Sequence, residues 1–562
     1  MKIRYSLAYN PILEYWEMID TDQVVVSDKI RRTYKKLAYD IAHPGKYFYS
    51  PSRGNHIIEF AENYCKHSKG KFGGQAVRLE LWEKALLAAI FGFIDKQGNR
   101  KYREAILIVG KKNGKSLLAS IVGLYLLVAD GEAGPEVYAV ATKKDQAKII
   151  WLESKRMVKK SPALLKRVKP LVAELSSEDY NSGTFKPLAS DSDTLDGLNV
   201  HGCLMDEFHQ WKNGLALYDI MADGVSARAQ ALIFMTSTAG TIREDIYDIK
   251  YEEATRIING YFDPNGYKDE HRIAFIYELD KRAEWIIEDC WYKANPGLGT
   301  IKNIETLRAA VERAKQDATK VKNLVCKEFN IRETSSEAWL TFEELNNMAT
   351  FDLKELKPRY GIGGCDLSST TDLTNATIIF QVPDDDHIYV LQMYWLPEDL
   401  LEQRVKEDKI PYDKWIEQGW MRTCPGNKVH YKYVCDWFEE VQNELDIYIY
   451  RVGYDSWSAT YFVEDMQNRF GKEQIESVIQ GKKTLSSPMK SLGADLKKKR
   501  IVYNNNPVLK WCLTNTSVEV DKNDNIQPCK GRQGTRRIDG TAGLLDAYVV
   551  YERHMDEYLT MI

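Results

Sequence analysis

The chain has 562 residues, of which 44% are hydrophobic and 28% charged, with a formal net charge of −4. This composition excludes a collagen-like or wholly disordered chain, and a prior of roughly 100–200 residues per domain predicts about three domains. The longest apolar stretch, residues 117–129, is shorter than the roughly 20 residues that cross a bilayer.

Nine scattered cysteines without a CxxC pair argue against a disulfide framework or a zinc ribbon. Since the N-terminus lacks the features of a signal peptide, we expect a cytoplasmic protein without a membrane partner.

The first half of the chain predicts a parallel α/β domain. Residues 1–75 indicate an N-terminal helical segment. Beyond it, strands are predicted at 105–109, 136–141, 200–205 and 231–236, and helices at 116–129 and 143–159. Such alternation is typical of a parallel sheet with helices on both faces.

A charged helical stretch at residues 303–334, with Leu307, Val311 and Ala314 on one stripe, leads into a second α/β region. Strands are predicted there at 360–367, 376–382, 388–394 and 447–455, and helices at 458–469, 488–499, 507–516 and 540–553. Three consecutive strands followed by helix–strand alternation are typical of a ribonuclease-H type domain. We therefore predict domains at 76–335 and 336–562, after the N-terminal segment.

A candidate phosphate-binding loop follows the first predicted strand. It reads Gly110-Lys111-Lys112-Asn113-Gly114-Lys115-Ser116 and precedes a predicted helix. Backbone N–H groups of such a loop can cradle phosphates, and the helix N-terminus adds positive partial charge. In this pattern Lys115 binds the β- and γ-phosphates and Ser116 holds Mg²⁺. The standard pattern has four residues between its glycines, whereas three separate Gly110 from Gly114.

Two later strands end in residues that complete a nucleotide site. The strand at 200–205 runs into Asp206 and Glu207. Asp206 can orient Mg²⁺, and Glu207 stands where a base activates water for attack on the γ-phosphate. The next strand ends in Thr236-Ser237-Thr238, whose hydroxyls can contact that phosphate. Because ligands of open α/β sheets bind at such strand ends, these motifs predict an ATPase site.

Four aspartates in the second half form a candidate nuclease site. Asp366 and Asp455 each end a predicted strand, Asp539 opens a predicted helix, and Asp546 lies seven residues further along the same helix face. Converging carboxylates can hold two divalent ions for phosphodiester cleavage, and without metal they repel one another. Carboxylate oxygens favour Mg²⁺ or Mn²⁺ over zinc. Asp539 and Asp546 are about 10 Å apart along the helix axis, so either is an alternative for the third direct ligand.

A basic stretch lies between the second and third of these acids. From Lys482 to Arg537 the sequence contains 13 Lys and Arg against 4 acidic residues, a local excess of +9. Beside a nuclease site, such a stretch is predicted to contact DNA backbone phosphates.

Taken together, these motifs resemble the large terminase subunit of tailed double-stranded DNA phages, in its HK97-like branch. The matching segments run in family order from about residue 80 to the C-terminus: residues 111–116, 196–199, 205–209, 236–240, 364–368, 506–509, 511–512 and 537–540. The resemblance implies an α/β protein with an N-terminal P-loop (RecA/ASCE-like) ATPase domain and a C-terminal RNase H-like nuclease domain.

The resemblance also implies a function, cofactors and partners. The family's proteins are ATP-driven motors that move double-stranded DNA into the procapsid and metal-dependent endonucleases that cut concatemeric DNA, in the host cytoplasm. ATP and Mg²⁺ are the implied cofactors, with Mn²⁺ an option at the nuclease site. The implied partners are DNA, the portal protein of the procapsid, the small terminase subunit and further copies of the chain in a ring on the portal; the isolated chain can be monomeric.

Roles for individual residues follow from the resemblance. Lys111 corresponds to an extra basic residue of the loop, Asp206 to the metal-side acid and Glu207 to the catalytic base, while residues 236–238 correspond to a motif that couples hydrolysis to movement. Asp366, Asp455 and Asp539 correspond to the nuclease acids. Loop residues Gly110, Asn113, Gly114, Lys115 and Ser116 bind the nucleotide in this interpretation.

The sequence departs from the family pattern at two points. Where the family often has a Trp-Gln pair that contacts adenine, this chain has Trp82-Glu83; a glutamate can accept from the adenine amino group but cannot also donate. No residue clearly matches the arginine finger, for which Arg228 is a candidate.

Two other functions fit part of the sequence. An ATP-dependent helicase-nuclease of DNA repair needs a second motor domain, but the sequence contains one phosphate loop. A nucleotide-binding assembly subunit without turnover has no need of Glu207.

Overall fold

The computed structural model describes residues 2–70, 72–190, 197–211, 214–240, 245–333, 338–367, 372–408, 410–455, 460–521, 523–530 and 536–562. Two compact units are present, one extending to Arg332 and the other from Glu333 to Ile562. Asp196 and Ser368 of the family motifs, and Lys522 and Arg532 of the basic stretch, lie outside the described residues. No described helix is long and apolar enough to cross a membrane, and the nine cysteines are free thiols.

The first unit is built from helices around a large sheet. Its helices are α1 (Pro11–Asp20), α2 (Asp28–Ala42), α3 (Pro51–Tyr64), α4 (Leu81–Gly92), α5 (Lys115–Val128), α6 (Lys144–Lys160), α7 (Pro162–Leu165), α8 (Asp179–Ser182), α9 (Gly214–Gly224), α10 (Ile246–Gly260), α11 (Ile304–Gln316) and α12 (Ala318–Phe329). Its strands are β1 (Phe48–Tyr49), β2 (Phe93–Ile94), β3 (Glu104–Ile108), β4 (Glu136–Ala141), β5 (Val168–Pro170), β6 (Leu175–Ser177), β7 (Gly183–Ala189), β8 (Val200–Asp206), β9 (Leu232–Ser237) and β10 (Arg272–Ile276).

The main sheet of this unit has the strand order β10-β3-β9-β8-β4-β7-β6-β5. The strands from β10 to β7 are parallel, which confirms the predicted parallel sheet, whereas β6 and β5 extend it antiparallel. Side chains alternate between two cores: Ala105 and Leu107 of β3 pack on one face, and Ile106 and Ile108 on the other. Because β9 lies between β3 and β8, the carboxyl ends of these three strands are neighbours.

The charged helical stretch at 303–334 forms two helices, α11 and α12. Asp317 separates them as the C-cap of α11. The predicted stripe of Leu307, Val311 and Ala314 is buried and packs in one cluster with Trp291 and Phe329.

The second unit is also a layered α/β structure. Its helices are α13 (Phe342–Leu345), α14 (Leu353–Leu356), α15 (Leu401–Asp408), α16 (Tyr412–Glu417), α17 (Lys432–Glu444), α18 (Thr460–Phe470), α19 (Lys482–Lys497), α20 (Pro507–Asn515) and α21 (Asp539–Leu559). Its strands are β11 (Tyr360–Asp366), β12 (Thr374–Phe380), β13 (Ile388–Pro397), β14 (Met421–Cys424), β15 (Tyr448–Asp455), β16 (Ile475–Val478), β17 (Ile501–Val502), β18 (Ser517–Val520) and β19 (Ile526–Cys529).

The sheet of the second unit has the order β14-β13-β12-β11-β15-β16, with β17 paired to β13. The first three strands of this unit, β11 to β13, are antiparallel neighbours, and β15 and β16 run parallel to β11. This is the arrangement expected of a ribonuclease-H type domain. The helix predicted at 488–499 begins earlier, at Lys482, and contains Pro488; α17 and β16 were not predicted.

Candidate active sites

The phosphate loop joins β3 to α5 and is anchored at its first residues. Gly114 has a φ of +87°, a conformation that glycine adopts readily. The backbone N–H of Gly110 donates to the Ala294 carbonyl (2.9 Å) and that of Lys111 to the Lys327 carbonyl (3.0 Å). These two N–H groups are therefore committed within the protein. A phosphate would meet the later N–H groups at the start of α5, and Lys111 could contribute only its exposed side chain.

The side chain of Asn113 is engaged within the protein. It is fully buried, and its amide nitrogen donates to the Gly110 carbonyl and to Oδ1 of Asn295, both at 2.9 Å. Its amide oxygen accepts from the Gly297 N–H at 3.2 Å. With both ends of the amide engaged, the side chain is not free to bind nucleotide, and the predicted contact is restricted to the backbone.

Asp206 connects the three predicted motifs of the nucleotide site. Ser116 donates to its Oδ2 (2.9 Å) and Thr236 to its Oδ1 (2.7 Å). Burial and the charge of Glu207 raise the pKa of Asp206. The nitrogen Nζ of Lys115 lies 3.6 Å from Oε1 of Glu207 and donates to the Val109 carbonyl at 3.3 Å. A hydroxyl, a carboxylate and an ammonium are thus brought together where Mg²⁺ and phosphates are expected.

Glu207 is held in an unusual backbone conformation. Its φ is +50°, a left-handed geometry that costs a non-glycine residue roughly 1–2 kcal/mol, and such strain is concentrated at functional sites. Nδ1 of His209 lies 3.1 Å from its Oε2. Burial acts to raise the pKa of Glu207, but His209 and Lys115 outweigh it and lower the pKa to about 2. The carboxylate is therefore ionised, as a base must be.

His209 is a site residue that sequence analysis quoted only as part of a motif. Its Nδ1 also lies 2.9 Å from the Ser237 hydroxyl, and a Cβ at Gly240 would come within 2.8 Å of its ring. The ring of His209 thus lies between Glu207, at the end of β8, and residues 237–240, at the end of β9. A histidine two residues beyond the acid pair was the only signal available in the sequence.

Glu83 does not face an open pocket. It is 2% exposed and accepts from the Glu80 N–H (2.8 Å) at the start of its own helix. Its Oε1 is buried without a hydrogen-bond partner and lies 3.3 Å from the place of a Cβ on Gly114. Burial raises the pKa of Glu83 to about 8, so at neutral pH the carboxyl is mostly protonated and can donate as well as accept.

Arg228 is fully engaged inside the first unit, which contradicts its candidacy as an arginine finger. Its guanidinium donates to Asn199, to Glu132 and to the carbonyls of Ala133 and Gly134, over 2.8–3.1 Å. Its side chain is 9% exposed. To act on a neighbouring subunit it would have to leave a buried network, which strongly disfavours such a role.

The nuclease candidates meet where α21 crosses the sheet of the second unit. Strands β11 and β15 pair in parallel up to Cys365 and Tyr454, so Asp366 and Asp455 follow side by side. The helix lies directly on two glycines of these strands. A Cβ at Gly364 would be 2.3 Å from the Ala547 nitrogen, and one at Gly453 would be 2.9 Å from the Asp546 carbonyl.

Burial and neighbouring carboxylates raise the pKa values of these acids. Burial and the charges of Asp539, Asp546 and Asp455 raise the pKa of Asp366 well above its usual range. Burial, followed by Asp372, raises the pKa of Asp539 to about 7. Burial likewise raises that of Asp546, although Gln480 donates to Asp546 at 2.9 Å. Oδ2 of Asp539 is buried without a partner, which leaves it available to an ion.

This donor set fits divalent ions. Hard carboxylate oxygens, mutual repulsion and a bare buried oxygen are what a Mg²⁺ or Mn²⁺ site offers. The acids are not a compact single-ion cage: among the described residues, the group of three ligand atoms mutually within 4.8 Å is Asp385, Asp386 and His387, elsewhere in this unit.

Much of the predicted DNA-contacting basic stretch is engaged within the second unit. Arg537 pairs with Asp372 (2.8 Å) and Asp408 (3.2 Å), and Lys530 with Asp372 (2.6 Å). Residues 482, 490, 497, 499, 500 and 510 also have partners inside this unit. Asp372 is therefore an ion-pair partner, and most of the basic side chains that the structure describes in this stretch have an acceptor within the unit.

Comparison with known proteins decides the family. The ATPase domain of the terminase large subunit matches residues 81–256, and its endonuclease domain matches residues 267–555. The chain belongs to the terminase large subunit family. Membership of the family confirms the predicted family, the α/β fold class and the pairing of a DNA-packaging ATPase with a DNA endonuclease.

Individual terminase relatives extend over most of the chain. The large terminase subunit of Enterobacteria phage HK97 is 26% identical over 497 residues, covering 88% of this chain and 94% of that protein. Protein YmfN of Escherichia coli K12 is 25% identical over 432 residues, covering 73% and 91%. The crystal structure of the HK97 large terminase covers 89% of this chain and 99% of its own, with 25% identity and a TM-score of 0.48. As a terminase large subunit, the chain uses a nucleotide and divalent metal ions.

Proposed function

We propose that this terminase large subunit hydrolyses ATP with Mg²⁺ at the site around Asp206. Lys115 binds the β- and γ-phosphates, and Ser116 and Asp206 hold the ion, which neutralises phosphate charge. Glu207 accepts a proton from the attacking water, because it is ionised and its carboxylate is oriented by His209. The observation that most strongly supports this site for ATP and Mg²⁺ is a pair of hydrogen bonds. Through them Asp206 joins Ser116 of the phosphate loop to Thr236 of β9.

We further propose that Asp366, Asp455 and Asp539 cut DNA with two Mg²⁺ or Mn²⁺ ions. Such ions position water and stabilise the leaving oxygen of a phosphodiester. Asp539 is favoured over Asp546 because its Oδ2 lacks a partner, whereas Asp546 accepts from Gln480. Among the neighbouring charges, Asp539 also makes the largest contribution to the raised pKa of Asp366.

In this proposal ATP hydrolysis drives double-stranded DNA into a procapsid, and the nuclease cuts the concatemer. The partners are the portal protein and the small terminase subunit, the active form is a ring of copies on the portal, and the place is the host cytoplasm during phage assembly. The test is packaging of linear duplex DNA into purified procapsids with ATP and Mg²⁺. Protection of DNA that requires ATP supports the proposal, and its absence under conditions where a related motor packages DNA contradicts it.

A further inference from the structure

The phosphate loop is supported from behind by residues 291–302 and by the end of α12. The N–H groups of Gly110 and Lys111 donate to carbonyls of these segments. A Cβ at Gly110 would lie 2.3 Å from Oδ1 of Asn295 and 2.6 Å from the Glu328 carbonyl. Contact this close leaves no room for a side chain, so the loop rests directly on Asn295.

Asn295 uses every hydrogen-bonding position of its amide. It is fully buried. Its nitrogen donates to the carbonyls of Trp291 (3.1 Å) and Glu328 (2.9 Å). Its oxygen accepts from the Asn113 amide (2.9 Å) and from Nζ of Lys302 (2.5 Å). An amide saturated in this way has one orientation, because rotation would set donors against donors.

Lys302 fixes the far side of this contact. Its ammonium is 7% exposed and bridges Asn295 to Oε2 of Glu328 (2.6 Å). A buried ammonium is stable only when its donors are satisfied. The chain of contacts therefore runs from the ion pair of Lys302 and Glu328 through Asn295 to Asn113 inside the loop.

We propose that Asn295 is a positioning residue for ATP hydrolysis. It does not touch the nucleotide; it holds Asn113, and through Asn113 it sets the loop so that Lys115 and the first N–H groups of α5 face the phosphates before ATP binds. A loop prepared in advance loses less conformational freedom on binding. This inference rests on the ATPase role proposed above for the same loop.

The test measures KM and kcat for ATP, and the melting temperature, with the full-length protein. Asn295→Ala removes the amide, and Lys302→Met removes the ammonium while leaving Asn295 in place. Asn55→Ala is the matched control, because Asn55 is 3% exposed in the same unit and also donates to two carbonyls, of Ser6 and Tyr9. Asn113→Ala and its double variant with Asn295→Ala report whether the effect passes through Asn113.

Loss of one or two buried hydrogen bonds to the loop should raise KM for ATP about tenfold in Asn295→Ala. Lys302→Met should raise it less, and the double variant should be no worse than the more affected single variant. Asn55→Ala should lower the melting temperature without changing KM. If Asn295→Ala and Lys302→Met only lower the melting temperature, as Asn55→Ala does, the inference is overturned. A wild-type protein without ATP hydrolysis would instead refute the proposed ATPase role itself. If Asn295→Ala does not fold, the KM of Lys302→Met decides whether Asn295 is a positioning residue.

Discussion

Gly364 of β11 lies against Ala547 of α21 so closely that a Cβ on the glycine would be 2.3 Å from the Ala547 nitrogen. The same Cβ would be 2.4 Å from the Gly543 carbonyl, so the obstacle is backbone that cannot move aside. This close approach brings Asp366, two residues beyond Gly364, near the carboxylates that the helix carries. The nuclease site therefore depends on a missing side chain as much as on its acids.

Substitution of Gly364 should separate the two activities. Gly364→Ala should force α21 away from β11, destabilise the second unit by about 1–3 kcal/mol and abolish DNA cleavage, while ATP hydrolysis in the first unit continues. Gly481→Ala is the matched control, because nothing lies within 4 Å of a Cβ there. Cleavage of plasmid DNA and thermal unfolding are the measurements. Normal cleavage by Gly364→Ala would show that the close approach is not needed.

The acid pair at the end of β8 yields a prediction about ATP turnover. Glu207→Gln keeps the shape of the side chain but removes the proton acceptor, so turnover should fall by about 10²–10⁴-fold while ATP still binds. Lys115→Ala should abolish hydrolysis and weaken binding, because it removes the ammonium. Steady-state hydrolysis and nucleotide titration measure these effects, and cleavage of plasmid DNA should persist in both variants. Turnover at the wild-type rate in Glu207→Gln would exclude Glu207 as the base.

A third prediction concerns metal ions and the four aspartates. Plasmid cleavage should require Mg²⁺ or Mn²⁺ and stop with a chelator. Asp366→Asn, Asp455→Asn and Asp539→Asn should each eliminate cleavage without affecting ATP turnover. Asp546→Asn should retain part of the activity, because Asp546 is already hydrogen-bonded to Gln480. A folded but inactive Asp546→Asn beside an active Asp539→Asn would transfer the role of third ligand to Asp546.

The features that could be predicted from the sequence are those encoded by neighbouring residues: buried strands, the acids at their ends and amphipathic helices. Buried strands such as Glu136–Ala141 are mainly apolar. Asp206, Asp366 and Asp455 are the last residues of their strands, and Glu207 directly follows one. Within each sheet, the placement of these acids at the carboxyl ends of neighbouring strands therefore follows from topology. Amphipathic α11 was likewise evident from its stripe.

Contacts between distant parts of the chain could not be predicted in this way. Asn113 was assigned to the nucleotide because it stands in the loop, but its partner Asn295 is 182 residues away. Arg228 carried no sign that residues 132–134 and Asn199 would enclose it. The basic stretch looked like a DNA surface because its acidic partners, such as Asp372 and Asp408 of Arg537, precede it in the chain.

The last prediction concerns pH and Glu83. Burial raises the pKa of this carboxyl from 4.5 to about 8, so between these values the folded protein keeps a proton that the unfolded chain releases. The stability contributed by the neutral carboxyl is complete below pH 4.5 and is lost as the pH rises towards 8, by about 1.4 kcal/mol per pH unit. Glu83→Gln stays neutral, so its stability relative to the wild type should increase over this window and level off above pH 8. Urea unfolding from pH 5 to 9 measures the difference in the free energy of unfolding between the wild type and Glu83→Gln. The control is Glu312→Gln, at a side chain that is 61% exposed. Parallel curves of this free energy against pH for the wild type and Glu83→Gln would show that Glu83 ionises normally.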